Sequence, residues 1–305
     1  MPLTTNDISK HLLAGLKTVF FEEYTKQPNE DWKSIAMEIP SNKATEQYAW
    51  LGATPSMREW VDERMPSALA EHSFQITNNK WESTIAVDAD AIEDDQYGQI
   101  VLRVKQLGET ARDFYRTKAF DTVVAGTSTT CYDGQYFFDT DHSENDSGTQ
   151  SNLGSSALTS ESLSSAMAAM MRFKDDKGNS MGINGNILLV PPELEATALE
   201  IVGAETIQRY VASGTGNDKK PMLNIHKGRY DVIVTERITD TDSWYLLCGN
   251  KVTKPVIFQN RKNTEFGSLE GNSDTGFTRD TWQYGVKCRF NMGLGDWRLG
   301  YANIP

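Results

Sequence analysis

Trp282-Gln-Tyr-Gly-Val-Lys-Cys-Arg-Phe-Asn-Met292 carries an apolar side chain at every second position, with polar residues or glycine between them. That period describes a strand packed on one face and wet on the other. Gly293-Leu-Gly-Asp296 follows, and Trp297, Leu299 and Tyr301 alternate again. The spacing predicts a β-hairpin, or a strand turning back, and a chain that finishes in a structural sheet.

Moving back along the chain, Asn260 to Arg279 is rich in Gly, Ser, Asn and Asp and reads as a separator between this sheet and an earlier subdomain. Short extended runs at Tyr230–Val234, Trp244–Cys248 and Val256–Phe258 read as strands, as does the apolar run Ile187–Val190. Pro191-Pro192 introduces a helix over Glu193 to Val202, because proline suits the first helical turn. Thr159 or Ser160 can cap a preceding helix whose inner stripe is Leu163, Met167, Met170 and Phe173. Helix, strand and helix in order imply an α/β subdomain. Ser143–Ser156 reads as an exposed loop and Ser213–Lys220 as a mobile segment.

The N-terminal half carries longer elements. Tyr97, Val101, Val104, Gly108, Ala111, Tyr115 and Ala119 recur at spacings of four and three behind Asp94-Asp95. One helix from there to about Val124 would span on the order of 45 Å at about 1.5 Å per residue. Before it, Phe74, Ile76, Trp81, Ile85 and Val87 flank Asn78-Asn79 and predict a long hairpin. Ile8, Leu12, Leu13, Leu16, Val19, Phe20 and Tyr24 lie on one stripe of an amphipathic helix over Asn6–Lys26, whose polar face mixes both charge signs. Ile35, Met37 and Ile39 alternate as a strand, and Tyr48 to Trp60 is an aromatic-rich arm. No internal repeat is present.

Composition narrows the function classes. The 305 residues can bury a sizeable core, and the net charge of −12 opposes direct duplex recognition, which rests on Lys and Arg displacing counterions from phosphate. No apolar run reaches the roughly 20 residues of a membrane span, and the first residues lack the order of a signal peptide, so a soluble cytoplasmic product is expected. Cys131, Cys248 and Cys288 are odd in number and far apart, which gives neither a disulfide framework nor a Cys-x-x-Cys metal spacing.

Chemical motifs are weak. Asp139, Asp141, Ser143 and Asn145 have the spacing of calcium-loop ligands, with His142 and Asp146 alongside. The turn glycine is missing, and Gln150 stands where a bidentate Glu belongs. Cys131 and His142 evoke a zinc pair or a Cys-His nucleophile, without further ligands or a family signature. His11, His72, His142 and His226 are the only candidate bases for serine chemistry. Gly214-Thr-Gly-Asn-Asp-Lys-Lys lacks the Gly-Lys-Ser/Thr ending of a phosphate loop. A solvated polar loop and buried thiols are the expected readings, and no residue is assigned a catalytic, cofactor-binding or metal role.

Tyr48-Ala-Trp-Leu-Gly, Pro55, Arg58-Glu-Trp, Ile92-Glu-Asp-Asp, the long helix, Cys131-Tyr-Asp-Gly with Phe137-Phe and His142, Leu188-Leu-Val-Pro-Pro and the C-terminal strands occur in an order that resembles the major head subunit of Mu-like phages. The resemblance covers nearly the whole chain. It implies an α+β subunit of the Hong Kong 97-like phage capsid fold, divided into an N-terminal arm at 1–67, an extended loop hairpin at 68–93, a peripheral domain with spine helix at 94–154, an axial domain at 155–274 and peripheral C-terminal strands at 275–305. It also implies that some shells crosslink a loop Lys to a neighbour's Asn, for which Lys80 and Asn303 are of the right type.

The implied function is the major capsid protein of a tailed phage or prophage, self-assembling into an icosahedral shell around genomic DNA. Projecting arms and hairpins that bury little in their own subunit fit that role. The alternatives are a cargo-enclosing protein nanocompartment of the same fold, and a cytoplasmic metal-dependent hydrolase using the Asp139–Asp146 loop. On the capsid reading the protein is not an enzyme and needs no cofactor. Its expected partners are copies of itself in pentamers and hexamers, a scaffolding protein, the portal, a decoration protein, and packaged DNA held without sequence preference. It has no membrane role. Its place is the virion capsid, after synthesis and assembly in the bacterial host cytoplasm.

Overall fold

The computed structural model describes residues 5–26, 30–49, 51, 74–88, 97–213, 216–269 and 281–305. Four helices are present among them: α1 (Thr5–Tyr24), α2 (Tyr97–Val124), α3 (Ser160–Arg172) and α4 (Glu195–Gly203). The strands of the first half are β1 (Ala36–Pro40), β2 (Thr45–Gln47), β3 (Gln75–Thr77), β4 (Asn79–Asp88), β5 (His142–Ser143), β6 (Thr149–Gln150) and β7 (Leu153–Gly154). Those of the second half are β8 (Ile187–Val190), β9 (Thr206–Ser213), β10 (Gly216–Leu223), β11 (Asp231–Val234), β12 (Trp244–Leu247), β13 (Val256–Leu269), β14 (Thr281–Leu294) and β15 (Gly300–Asn303).

Two sheets organise the molecule. The long one has the order β1-β13-β14-β4, and the short one β11-β8-β12-β15-β7. In β14 the alternation read from the sequence holds: Trp282, Tyr284, Val286, Phe290, Met292 and Leu294 are buried, while the residues between them are at least partly exposed. Helix α2 lies along this sheet and joins two cores. Its first half contributes Ile100, Val104 and Leu107 to a cluster with Leu16 and Phe20 of α1 and with Trp282 and Tyr284. Its second half contributes Ala119, Phe120 and Val123 to the main core. Gly108 lets α1 approach closely, since a Cβ there would sit 3.0 Å from the Phe20 carbonyl oxygen. Each fully buried aliphatic or Phe side chain in these clusters contributes about 1.5–3 kcal/mol.

The short sheet is built differently. Every residue of β8 and of β12 is buried, which is why these strands read as continuous apolar runs. Helix α3 starts at Thr159, whose hydroxyl accepts from Ser162 N while the Ser162 hydroxyl accepts from Thr159 N. The turn after β12 needs Gly249, because a Cβ at that position would collide with the Ser34 carbonyl oxygen and with Ile187.

Several expectations are corrected. Residues 78–79 do not turn a hairpin: β3 pairs with β2, and β4 pairs with β14. Asn78 is buried and donates to Ser41 Oγ at 2.8 Å and to the Lys43 carbonyl at 2.9 Å, so it anchors the strand crossing. Residues 68–73 and 89–93 of the expected extended loop, and 52–67 of the arm, lie outside the described residues. The expected separator at 260–279 is in its first half strand β13, antiparallel to β14 with register shifts between Asn260 and Glu265. A boundary at 274/275 would therefore separate strands that pair with each other. Gly216–Lys220, expected as part of a mobile segment, lies in β10 and pairs with β9.

The chain end also differs. β14 does not pair with β15; after Gly295 the Asp296 carboxylate accepts from Arg298 N and caps one 3-10 turn, Trp297–Leu299. That turn carries β15 into the short sheet beside β12 and β7. Trp297, Arg298 and Leu299 are all buried, so the apparent alternation is a compact turn with no wet face.

Candidate functional site

The loop between α2 and α3 is held by three devices. Phe137 and Phe138 are buried edge to face, with Phe138 5.4 Å from the ring of Tyr245 in β12. Gly134, at φ +90°, closes the tight turn Cys131–Gln135, a backbone angle that favours glycine. Asn152 is fully buried: its Nδ2 donates to the carbonyls of Phe137 (2.7 Å), Trp297 (3.1 Å) and Gly300 (3.2 Å). Its Oδ1 accepts from Asp139 N at 2.9 Å. One side chain thus ties the loop to the entry of β15.

Within this frame the loop assembles two polar clusters around Trp297. The first is Cys131, Asp133 and His142. Cys131 Sγ donates to Asp133 Oδ1 at 2.9 Å, and His142 Nδ1 lies 2.6 Å from Asp133 Oδ2. The other ring nitrogen, Nε2, faces Asn152 Oδ1 at 3.2 Å, and the ring stacks on Trp297 with centroids 3.9 Å apart and planes 5° from parallel. Burial raises the Asp133 carboxyl, but bonds from His142 and Cys131 outweigh it and hold the group below its ordinary value. Burial, with the neighbouring Asp133, pushes the Cys131 thiol far above its ordinary range.

The second cluster is an interior ion pair. Arg298 Nη2 donates to Glu144 Oε2 at 2.5 Å and to Tyr132 Oη at 2.9 Å, while Tyr132 Oη and Trp297 Nε1 donate to Glu144 Oε1 at 2.6 and 3.0 Å. Every donor around Glu144 is itself pinned by packing. Asp296, 3.7 Å from Arg298 Nε, is raised by burial against the opposing pull of Arg298. The thiol, the carboxylates and the guanidinium are all engaged in hydrogen bonds or ion pairs with one another inside the protein. The arrangement fastens the loop to the C-terminal turn.

The residues weighed for calcium do not converge. Asp139 accepts from Tyr136 N and Thr140 N, and Asp141 accepts from Gln135 Nε2. His142–Ser143 pairs with Thr149–Gln150 as a two-stranded ribbon. Among the described residues, the group of potential ligands that comes together is Cys131, Asp133 and His142, of which Asp133 is not among the candidate ligands read from the sequence. His226 is buried beneath α3, with Nε2 near Ser164 Oγ (3.1 Å) and the Ser160 carbonyl (3.0 Å). Asn303 is also buried, and its Oδ1 accepts from Ser156 N, so its amide is not presented to a neighbour's lysine.

With a long helix lying on an extended sheet and a second, compact α/β body, the chain has the architecture of phage capsid subunits. It superposes on the procapsid of bacteriophage JBD30 with a TM-score of 0.57 at 25% identity, covering 97% of this chain and 75% of that one. Sequence comparison narrows the class. The chain is 27% identical over 303 residues to the Mu-like prophage FluMu major head subunit of Haemophilus influenzae, covering 99% of this chain and 75% of that protein. The major capsid protein of Escherichia phage Mu is 32% identical over 111 residues, 36% of each chain. The family model of the Mu-like prophage major head subunit gpT matches residues 10–157, 150–238 and 232–304. The chain belongs to that family: it is a major head subunit that forms the capsid shell of a Mu-like phage or prophage, with the Hong Kong 97-like fold. No described helix is long and apolar enough to cross a membrane.

Proposed function

We propose that copies of this chain assemble as pentamers and hexamers into a closed icosahedral shell around packaged DNA, which is held without sequence recognition. A scaffolding protein directs assembly, a portal occupies one vertex and decoration proteins bind outside. The protein performs no catalysis, and synthesis and assembly take place in the bacterial host cytoplasm. The long sheet with α2 serves as the peripheral domain, and the short sheet with α3, α4 and the β9–β10 hairpin as the axial domain. Residues 1–67 form the arm, whose strand β1 joins the edge of the long sheet, and the extended loop falls within 68–93.

The observation that carries this reading is the family match across nearly the whole chain. Architecture supports it: the ten-residue strand β4 is an edge of the long sheet, so one row of its backbone groups is available to a neighbouring copy. A net charge of −12 opposes tight adhesion of the shell to the DNA it must release. Electron microscopy and light scattering of the chain expressed alone, and with its neighbouring head genes, test the proposal. Shells, tubes, or five- and six-membered rings are expected. A uniform monomer under both conditions would overturn it, and shells filled with a protein cargo would replace DNA packaging by compartment formation.

A further inference from the structure

The Cys131–Asp133–His142 cluster brings a thiol, a carboxylate and an imidazole together inside the protein, with hydrogen bonds linking all three. Asn152 cannot flip, because its Nδ2 is committed to three carbonyl oxygens and its Oδ1 to Asp139 N. His142 Nε2 therefore faces a fixed acceptor and must carry a proton. With that proton assigned, Nδ1 is left 2.6 Å from the Asp133 carboxylate, a second acceptor. Cys131 Sγ sits 2.9 Å from the other oxygen of the same carboxylate. Three electron-rich atoms thus converge in a nearly dry site, all within 4.8 Å of one another. Either two protons or one small cation must lie among them.

We propose that Cys131, Asp133 and His142 form a binding site for one divalent cation of the zinc class. The donor set is a thiol, an imidazole and a carboxylate, which suits a borderline-soft ion and disfavours calcium or magnesium. The surrounding residues have the form such sites use: a ligating imidazole donates its other N–H to a fixed oxygen, here Asn152 Oδ1, which sets the tautomer and aims Nδ1 at the ion. The stack on Trp297 fixes the plane of the ring. The ion enters as M²⁺, the Cys131 S–H proton and the single proton lying between His142 Nδ1 and Asp133 Oδ2 leave, and the ligands become thiolate, carboxylate and neutral imidazole. Entry is from the groove of about 790 Å³ between α2 and β14, whose wall includes Cys131, Tyr132 and Gly134.

The test uses the purified full chain, dialysed against chelator and then titrated with Co²⁺ and Zn²⁺. The expected result is one ion per folded chain by elemental analysis, with a thiolate-to-Co²⁺ charge-transfer band in the near ultraviolet. Zinc should raise the unfolding temperature and release two protons per ion. Cys131→Ser keeps a hydroxyl donor to Asp133 and should fold, yet lose the charge-transfer band and at least ten-fold in affinity. Cys288→Ser changes the half-buried thiol on β14, away from this cluster, and should bind as the wild type does. Folded wild type that takes up no ion and shows no thermal shift overturns the proposal, and so does equal uptake by Cys131→Ser. Neither result depends on shell assembly.

Discussion

The two sheets of this subunit solve burial in opposite ways. In the short sheet, β8 and β12 are buried at every residue, whereas in β14 of the long sheet the buried side chains are separated by wetter ones. The short sheet is closed within the subunit by α3, α4 and the Phe137–Phe138 loop. The long sheet keeps one polar face and the β4 edge open. Stability of the isolated chain should therefore reside in the short sheet and its buried polar junction, while the long sheet should tolerate change in the monomer and reveal its importance in the shell.

The sharpest way to break this contrast is at the junction. Arg298→Met leaves Glu144 buried without its cation and should cost about 3–5 kcal/mol, read by urea denaturation of the subunit. The double variant Arg298→Met/Glu144→Gln should recover a large share of that loss, because the uncompensated charge is gone. Equal destabilisation in both variants would place the cost in packing against Trp297. Next comes the interior of the short sheet: Leu246→Ala, at a side chain with no exposure against which Gly185 is packed, should cost about 2–5 kcal/mol.

A third prediction concerns pH. Burial raises the Asp296 carboxyl above its ordinary value of 3.8, so the folded state holds that proton more tightly than the unfolded chain. The resulting stabilisation is fully present below the unfolded value and is lost as pH rises through the raised folded value. Asp296→Asn keeps an oxygen to accept from Arg298 N and removes the titration. The wild type should therefore lose stability relative to the variant as pH climbs through that window, by denaturation at a series of pH values. A constant difference between the two across that range would refute the assignment.

Legibility in the sequence follows the same division. β14, β8, β12 and α2 are readable because period or continuous apolarity records their burial directly. Strand β13 is only half legible, since Asn260-Arg-Lys-Asn-Thr-Glu265 carries almost no apolar signal where it pairs with β14. The 78–79 crossing misleads because Asn78 resembles a turn residue locally, while its partners Ser41 and Lys43 are distant in sequence. The polar junction is legible in part. Cys131 and His142 already stand out as a pair in the sequence, whereas Asn152 and Trp297 join them only once the C-terminal turn crosses to the other sheet, a contact between residues distant in sequence.

The smallest expected effect has the most diagnostic sign. On the open face of the long sheet, Lys262, Arg289 and Lys80 stand opposite one another across β13, β14 and β4. Lys262 is partnered by Glu265 at 3.0 Å, while Arg289 Nε is buried without a hydrogen-bond partner. Like charges placed directly across strands are destabilising, so Arg289→Glu, which turns two repulsions into attractions, should stabilise the isolated subunit by about 0.2–1 kcal/mol. A row that costs the monomer but serves an acidic neighbour predicts the opposite outcome in assembly. The same variant should then give fewer shells on co-expression with the head genes, counted by electron microscopy. If Arg289→Glu raised monomer stability and left shell yield unchanged, the open face would be ordinary solvated surface. If it destabilised the monomer, the long sheet would hold its charges for its own sake, and the contrast between the two sheets would fail at its weakest point.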